Sequence, residues 1–142
     1  MIIEDIKHRL PIQIRFNDID SLGHVNNAIY LSYFDLGKSA YFQAVKSTII
    51  DWTKIDIVVA NVNIDYHAPT FMHEKLEVRT QVADIGNKSM KMVQQLVNLE
   101  TGELKSSCRT VMVGYHPESK ASKIISQEWR NAIEQYEGKK FD

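Results

Sequence analysis

The sequence predicts an α+β fold in which a curved antiparallel sheet packs around one long helix. Three patterns lead to this prediction. One alternating segment comes first, a long segment with helical periodicity follows it, and four more alternating segments complete the series. Because short turn-like segments separate the later strands, we expect those strands to pair as antiparallel neighbours. We therefore expect a five-stranded antiparallel sheet within a single domain that spans residues 1–142.

The first strand and the long helix follow each other closely. Residues 10–16 alternate between apolar and mostly polar side chains, which predicts a strand with Asp20 just beyond its end. From residue 27 to about residue 45 the apolar positions recur at spacings of three and four. Leu31 and Phe42 add apolar bulk to what would be the polar side of this helix. A helix that is apolar over most of its circumference is expected to be buried.

Four predicted strands follow the helix and supply the surface that would curve around it. They cover residues 58–68, 76–82, 90–99 and 111–115. In the first of them, the even-numbered residues from Val58 to Ala68 would share one face. In the third, Val93, Val97 and Leu99 make the second face apolar as well. That pattern indicates another buried surface beyond the helix, such as an oligomer contact.

The connections between these strands carry turn residues. Residues 84–87 and 100–103 each include a glycine, and both segments are typical of hairpins. Beyond the last strand, residues 126–136 predict a short helix with Ser126 as its N-cap.

Composition excludes several classes of function. The chain has 17 basic and 18 acidic residues, so it has no bulk attraction for nucleic acid or anionic membranes. Its one cysteine, Cys108, excludes an intramolecular disulfide and a multi-cysteine zinc site. No apolar run approaches the roughly 20 residues of a membrane span. Acids near residue 5 and no apolar segment after them argue against a signal peptide, so we expect a cytoplasmic protein.

The junction between the first strand and the helix is the most informative part of the chain. Residues 18–27 hold two acids, a glycine, a histidine and two asparagines. The first N–H groups of a helix lack internal partners, and the helix dipole favours negative charge there. A carbonyl oxygen at that position would be stabilised as it becomes an oxyanion. Asp20 could attack the carbonyl carbon or activate a water, Gly23 would allow a sharp turn, and Asn26 is a candidate N-cap.

Ordinary turn chemistry would use the same residue types. Aspartate, serine, glycine and asparagine are common before helices, and a loop histidine such as His24 is more often hydrogen-bonded than catalytic. A calcium loop is excluded, because its fifth position is Leu22 and its twelfth, which needs a glutamate, is Ile29. Asp18 could join Asp20 and His24 around a metal, but three loop ligands predict no metal site.

At these residues the chain resembles the 4-hydroxybenzoyl-CoA thioesterase branch of the hotdog-fold acyl-CoA thioesterases. The matching motif is Arg15-Phe16-Asn17-Asp18-Ile19-Asp20-Ser21-Leu22-Gly23-His24-Val25-Asn26-Asn27-Ala28-Ile29-Tyr30, followed by Tyr33, Phe34 and Asp35. A second match is Tyr66-His67-Ala68-Pro69, and then Leu76-Glu77-Val78. The likeness in element order runs from about residue 10 to residue 116. It implies a hotdog fold, a homodimer or a larger assembly such as a tetramer, and active sites at the subunit interface.

The resemblance also implies roles for individual residues. Asp20 matches the catalytic aspartate, which is a nucleophile or a general base depending on the family member. The backbone N–H of Asn27 matches the group that polarises the thioester carbonyl. His24, the third catalytic candidate, and Asn26 match residues that order the loop and the substrate, and Gly23 would adjoin the substrate. The substrate would be an acyl-CoA or an acyl-carrier-protein thioester, and the reaction would need no cofactor.

Coenzyme A carries phosphates, which this fold usually binds with surface lysine and arginine side chains. Lys88 and Ser89, just after the turn at residues 84–87, match positions that border the substrate channel in such enzymes. Other basic candidates are Lys75, Lys91 and Arg109, although a solvated strand face explains each of them as well. Apolar candidates for an acyl pocket are Phe42, Met90, Met92 and Met112, which also fit an ordinary core.

Two other functions fit the same fold. One is a hotdog dehydratase or hydratase that uses His24 as its base. The other is a non-catalytic subunit that binds acyl thioesters without hydrolysing them.

Overall fold

Six strands and two α-helices are present in the residues that the computed structural model describes, which are residues 3 and 5–141. The strands are β1 (His8–Ile12), β2 (Ile57–Tyr66), β3 (Leu76–Ile85), β4 (Ser89–Asn98), β5 (Leu104–Tyr115) and β6 (Ser122–Lys123). The α-helices are α1 (Asn27–Lys46) and α2 (Gln127–Glu137). Neither helix is long and apolar enough to cross a membrane, considering the described residues only.

The strands form one antiparallel sheet with the order β1-β3-β4-β5-β2, and β6 pairs with the end of β5. This confirms the predicted α+β fold with an antiparallel sheet against a long helix. The prediction of five strands missed β6, in which Lys123 and Ser122 pair with Gly114 and Tyr115. A strand of two residues is too short to show an alternating pattern.

The first strand ends earlier than the sequence predicted. Its last residue, Ile12, pairs with Leu76, which is the first residue of β3, so residues 13–16 have no neighbouring strand to pair with. Ile14 is still buried, which explains why the alternation continues past the strand. The prediction placed Asp20 just beyond the end of β1. In the structure it lies farther along, beyond a 3₁₀ helix, Phe16–Asp18.

Strand β2 forms one edge of the sheet and contains an irregularity that the sequence did not reveal. A β-bulge lies between Val59 and Asn61. Val58 pairs with Val113 while Val62 pairs with Thr110, and positions three apart on β5 face opposite sides. The prediction that Val58 and Val62 share a face is therefore wrong.

Helix α1 packs lengthwise on the sheet over two apolar clusters. The first lies under the start of the helix and includes Phe34 and Val78, and the second lies under its end and includes Phe42 and Trp129. Leu31 and Leu36 remain 39% and 56% exposed. Because residues five apart in an α-helix lie about 140° apart around its axis, α1 is partly uncovered in a single chain and not buried all round.

Gly37 lies where α1 packs closely against the sheet. A Cβ atom at this position would be 2.5 Å from Val78 Cγ1 and 2.9 Å from Gln94 Nε2. We expect Gly37→Ala to lower the free energy of unfolding by about 1–3 kcal/mol, because overpacking forces the helix away from the sheet. This loss would outweigh the helix propensity of alanine, which favours it over glycine by about 1 kcal/mol. Urea denaturation would measure the change.

Gly86→Ala is the matched control for this experiment. Its Cβ would lie 3.6 Å from Ser89 Oγ, at ordinary van der Waals distance, so we expect a change of less than about 0.5 kcal/mol. Equal stability of the Gly37→Ala protein and the wild type would contradict the proposed tight contact.

Most of the remaining local predictions are confirmed. Helix α1 begins at Asn27, as predicted, and α2 begins at Gln127, with Ser126 Oγ accepting a hydrogen bond from the Trp129 amide at 3.2 Å. The two predicted hairpin turns connect β3 to β4 and β4 to β5. In β4, which was predicted to be apolar on both faces, Val97 is fully buried within the single chain. Leu99 was predicted to belong to this strand, but it lies in the following turn and is 47% exposed.

Candidate active site

The segment that leads into the site is anchored by a buried carboxylate. Asp18 is fully buried and accepts hydrogen bonds from the Arg15 amide at 2.9 Å, the Arg15 guanidinium at 3.0 Å and the Tyr33 hydroxyl at 2.6 Å. Burial alone would raise the pKa of Asp18, but the hydrogen bonds from Tyr33 and Arg15 outweigh it and hold that pKa below its ordinary value. Asp18 is therefore an ionised anchor that fastens this loop to α1.

A tight loop between Asp18 and α1 carries the predicted catalytic residues. The Asp20 amide donates to the His24 carbonyl at 3.1 Å, and the Gly23 amide donates to the Asp20 carbonyl at 3.0 Å. Gly23 has a φ of +86°, which other residues rarely adopt, so its predicted role in a sharp turn is confirmed. Ile19 and Val25 form a β-bridge that closes the base of the loop.

The Asp20 carboxylate is held at the start of α1 by one asparagine. Its Oδ1 accepts from the Leu22 amide at 2.9 Å, and its Oδ2 accepts from Asn26 Nδ2 at 3.2 Å. The other end of the same side-chain amide, Asn26 Oδ1, accepts from the Ala28 amide at 2.9 Å. Asn26 is thus the predicted N-cap, and it also joins the carboxylate of Asp20 to the amino end of the helix.

One amide at the start of α1 remains available. Asn26 accepts hydrogen bonds from the amides of Ala28 and Ile29, both at 2.9 Å. The amide of Asn27 has no hydrogen-bond partner within the described part of the chain. A free N–H at this end of a helix can bind an oxygen that carries negative charge.

A cavity of about 260 Å³ lies beside this amide. It is lined by His24, Asn27, Tyr30, Tyr66, His67, Ala68 and Pro69. The Nδ1 atom of His24 lies 3.3 Å from the Val25 carbonyl oxygen, and the ring packs edge-on against Phe71. His24 and Asn27 therefore share one cavity, and Asp20 is joined to its edge through Asn26.

Sequence reasoning assigned no role to Tyr66 and Thr70, two residues that contact the start of α1 and the loop before it. The hydroxyl of Tyr66 donates to the Asn27 carbonyl at 2.9 Å. Thr70 accepts from the Val25 amide at 2.8 Å and, through Oγ1, from the Tyr30 hydroxyl at 2.9 Å. The motif that begins at Tyr66 was part of the family resemblance, and this was the only sequence signal for these contacts.

Lys88 and Ser89 lie far from this site within one chain. They adjoin the turn between β3 and β4, where the Lys88 carbonyl accepts from the amide of Gly114, and Gly114 pairs with Ile57 at the start of β2. The site lies beside Tyr66, at the other end of β2. A single chain therefore does not bring these two predicted substrate-binding residues to the cavity.

The other candidate residues have ordinary positions. Three basic side chains are exposed and do not line the cavity, and these are Lys75, Lys91 and Arg109. Four apolar residues pack in the core under the end of α1, and these are Phe42, Met90, Met92 and Met112.

The sequence matches one protein family over most of its length. The model of the thioesterase-like superfamily matches residues 14–133. The long-chain acyl-CoA thioesterase FadM of Escherichia coli strain K12 is 26% identical over 128 residues, which cover 87% of this chain and 95% of FadM. The acyl-CoA thioester hydrolase YbgC of Escherichia coli O6:H1 is 22% identical over 94 residues, which cover 65% of this chain and 70% of YbgC.

The fold is also that of solved thioesterases. A thioesterase from Thermus thermophilus, crystallised with coenzyme A and Zn, superposes with a TM-score of 0.85 and 29% sequence identity. The superposition covers 96% of this chain and 98% of the Thermus chain. With the family match over residues 14–133, this chain belongs to the thioesterase-like superfamily, and it is a thioester hydrolase with the hotdog fold.

Proposed function

We propose that this protein hydrolyses acyl-CoA thioesters to a free acid and coenzyme A, with Asp20 and the Asn27 amide as its catalytic groups. The observation that carries this proposal is the hydrogen-bonded link from the Asp20 carboxylate through Asn26 to the amino end of α1. It holds an anion and a free amide at the same helix end. Those are the two groups that attack on a thioester carbonyl requires.

The reaction follows from this arrangement. The carbonyl oxygen of the thioester accepts a hydrogen bond from the Asn27 N–H, which stabilises the negative charge of the tetrahedral intermediate. Asp20 either removes a proton from the attacking water or adds to the carbonyl carbon itself. The carbon–sulfur bond then breaks and the thiolate takes a proton. In the nucleophilic route, water subsequently hydrolyses the mixed anhydride on Asp20. His24 and Gly23 shape the loop around the substrate, and no cofactor takes part.

Relatives support coenzyme A as the carrier. FadM and YbgC are both named as enzymes that act on acyl-CoA, and the Thermus thioesterase was crystallised with coenzyme A. We therefore propose an acyl-CoA substrate, with acyl-carrier-protein thioesters as the alternative that the experiment below separates. A cytoplasmic location stays a prediction.

A homodimer would complete the site. β2 is a sheet edge, and its apolar residues Val58 and Val59 are 38% and 47% exposed. Pairing of two β2 edges across a two-fold axis has to be antiparallel. The Ile57 end of one β2 would then lie beside the Tyr66 end of the other and bring the partner subunit's Lys88 towards the cavity. We propose this homodimer, or a tetramer of two such dimers, as the active form.

Release of free thiol from a panel of acyl thioesters tests the activity. We expect the wild-type protein to hydrolyse at least one of a series of short, long and aromatic acyl-CoAs faster than the same acyl groups on a carrier protein. A 3-hydroxyacyl-CoA should give free thiol and no conjugated product, which a dehydratase would form. Tight binding of acyl-CoA without any thiol release would contradict the proposal.

Sedimentation analysis tests the proposed assembly. It should give at least the mass of a dimer, and a monomer would contradict the proposed assembly.

A further inference from the structure

Lys105 is a buried lysine behind the wall of the site. It is only 3% exposed, and its Nζ lies 2.7 Å from Glu74 and 2.5 Å from Glu103. Burial alone would lower the pKa of Lys105, but the hydrogen bonds with Glu103 and Glu74 outweigh burial and raise that pKa. The side chain is therefore an ammonium ion at neutral pH.

This one residue holds three consecutive residues of the segment that follows β2. The Lys105 carbonyl accepts from the His67 amide at 2.9 Å and from the Ala68 amide at 3.2 Å. The Lys105 ammonium donates to the Pro69 carbonyl at 3.0 Å. His67, Ala68 and Pro69 all line the cavity beside Asn27. Lys105 therefore fixes one wall of the site from behind.

Glu74 holds the other end of the same segment. One carboxylate oxygen accepts from the Phe71 amide at 2.8 Å, and the other accepts from Asn98 Nδ2 at 2.6 Å. Burial alone would raise the pKa of Glu74, but hydrogen bonds from Lys105, Phe71 and Asn98 lower it instead. The pair of Lys105 and Glu74 thus stays charged and fastens residues 67–74 to β5 and to the end of β4.

The middle of this segment contacts the catalytic loop directly. The Thr70 carbonyl accepts from the Val25 amide at 2.8 Å, and Thr70 Oγ1 accepts from the Tyr30 hydroxyl. Val25 lies between His24 and Asn26, and Asn26 holds the Asp20 carboxylate. A continuous path of short contacts therefore runs from Lys105 through Thr70 to the catalytic loop.

We propose that Lys105 is a positioning residue for the hydrolysis described above: its ammonium fixes Pro69 and thereby Thr70, which sets the position of the loop that carries Asp20 and the Asn27 amide. This inference rests on the proposed function. Lys105 itself does not touch the substrate. Its contribution is to the geometry of two groups that must act on one carbon atom, where displacements of about 1 Å can cost about 100-fold in rate.

Kinetics of Lys105→Met test the proposal. The substitution keeps most of the side-chain length and removes the ammonium, so we expect kcat to fall by about 10–100-fold while KM changes by less than about threefold. Lys105→Arg should recover part of the lost kcat, because it restores the cation. Glu103→Gln is the matched control, since it removes a half-exposed partner and leaves the contacts to Pro69 and Glu74. Its kcat should stay within about twofold of the wild type.

Hydrogen exchange at the Val25 amide gives a readout that does not depend on activity. In Lys105→Met we expect this amide to exchange faster than it does in the wild type, while amides in the core of β4 are unchanged, because its acceptor Thr70 is no longer fixed. If Lys105→Met does not fold, Glu74→Gln gives the same comparison, because it removes the charge that holds Lys105. Wild-type kcat in a folded variant, or unchanged exchange at Val25, would overturn the proposal. A wild-type protein that hydrolyses no thioester would contradict the proposed function, whereas Val25 exchange would still report on the Lys105 contact.

Discussion

Asp20→Asn should reduce kcat for acyl-CoA hydrolysis by about 10²–10⁴-fold, the loss expected when a catalytic base or nucleophile is removed. Asparagine has the size of aspartate, so the loop can keep its shape while the negative charge is lost. The new side-chain amide would also face Asn26 Nδ2, which now donates to Asp20 at 3.2 Å. KM should change little, because the carboxylate acts on the carbonyl carbon and not on the coenzyme. Steady-state thiol release would measure both constants.

Asp5→Asn is the control for this substitution. Asp5 is an exposed aspartate before β1, and β1 forms the sheet edge opposite β2, so its loss should leave kcat unchanged. A single turnover in ¹⁸O-labelled water identifies the carbon atom that water attacks. Unlabelled enzyme oxygen in the first product acid would show that Asp20 is the nucleophile and that water attacked its Cγ. Label in the first product acid would show attack of water on the acyl carbon, which the base route requires and the nucleophilic route also allows. Equal kcat in Asp20→Asn and wild type would end the catalytic assignment.

Asn27→Pro should lower kcat by about 10²–10³-fold, because proline removes the one amide that we assign to the developing oxyanion. The first position of a helix accepts proline well, since the missing N–H has no partner inside the helix. The preceding residue also suits it: Asn26 has φ −62° and ψ 138°, which is the conformation that residues before proline prefer. The helix should therefore remain intact, and circular dichroism would verify this.

Asn27→Ala distinguishes the contribution of the backbone amide of residue 27 from that of its side chain. Alanine keeps the backbone N–H, and the Asn27 carbonyl that accepts from Tyr66 is present in both variants. We expect kcat of Asn27→Ala to stay within about threefold of the wild type. A loss as large as that of Asn27→Pro would show that the side chain, and not the amide, is the group that matters.

Local features of the fold could be predicted because neighbouring residues determine them. Helix α1 and its N-cap Asn26 follow from the change of apolar period and from the polar residue before it. Gly23 follows from the need for a sharp turn between Asp20 and the helix. The prediction for the end of β1 failed because strand length depends on the partner, and β3 provides no residue beyond Leu76 for pairing.

Features that depend on distant parts of the chain were not predictable from the pattern. Thr70 contacts Val25 across 45 residues and Lys105 contacts Pro69 across 36 residues, and neither pair has a local signature. The distance of Lys88 from the cavity of its own chain was unpredictable for a related reason. A turn that follows a strand can lie at either end of a sheet, and only the pairing of all strands shows that it lies opposite the site.

The double use of Asn26 restricts how this protein can be made more heat-resistant. Serine and aspartate cap helices about as well as asparagine, but neither has an N–H donor for the Asp20 carboxylate. Exchanging Asn26 for another good cap would preserve the helix and remove the hydrogen bond that ties Asp20 Oδ2 to it. Engineering for thermal robustness should therefore leave this position alone and use surfaces remote from the cleft, because here rigidity and turnover depend on the same side chain.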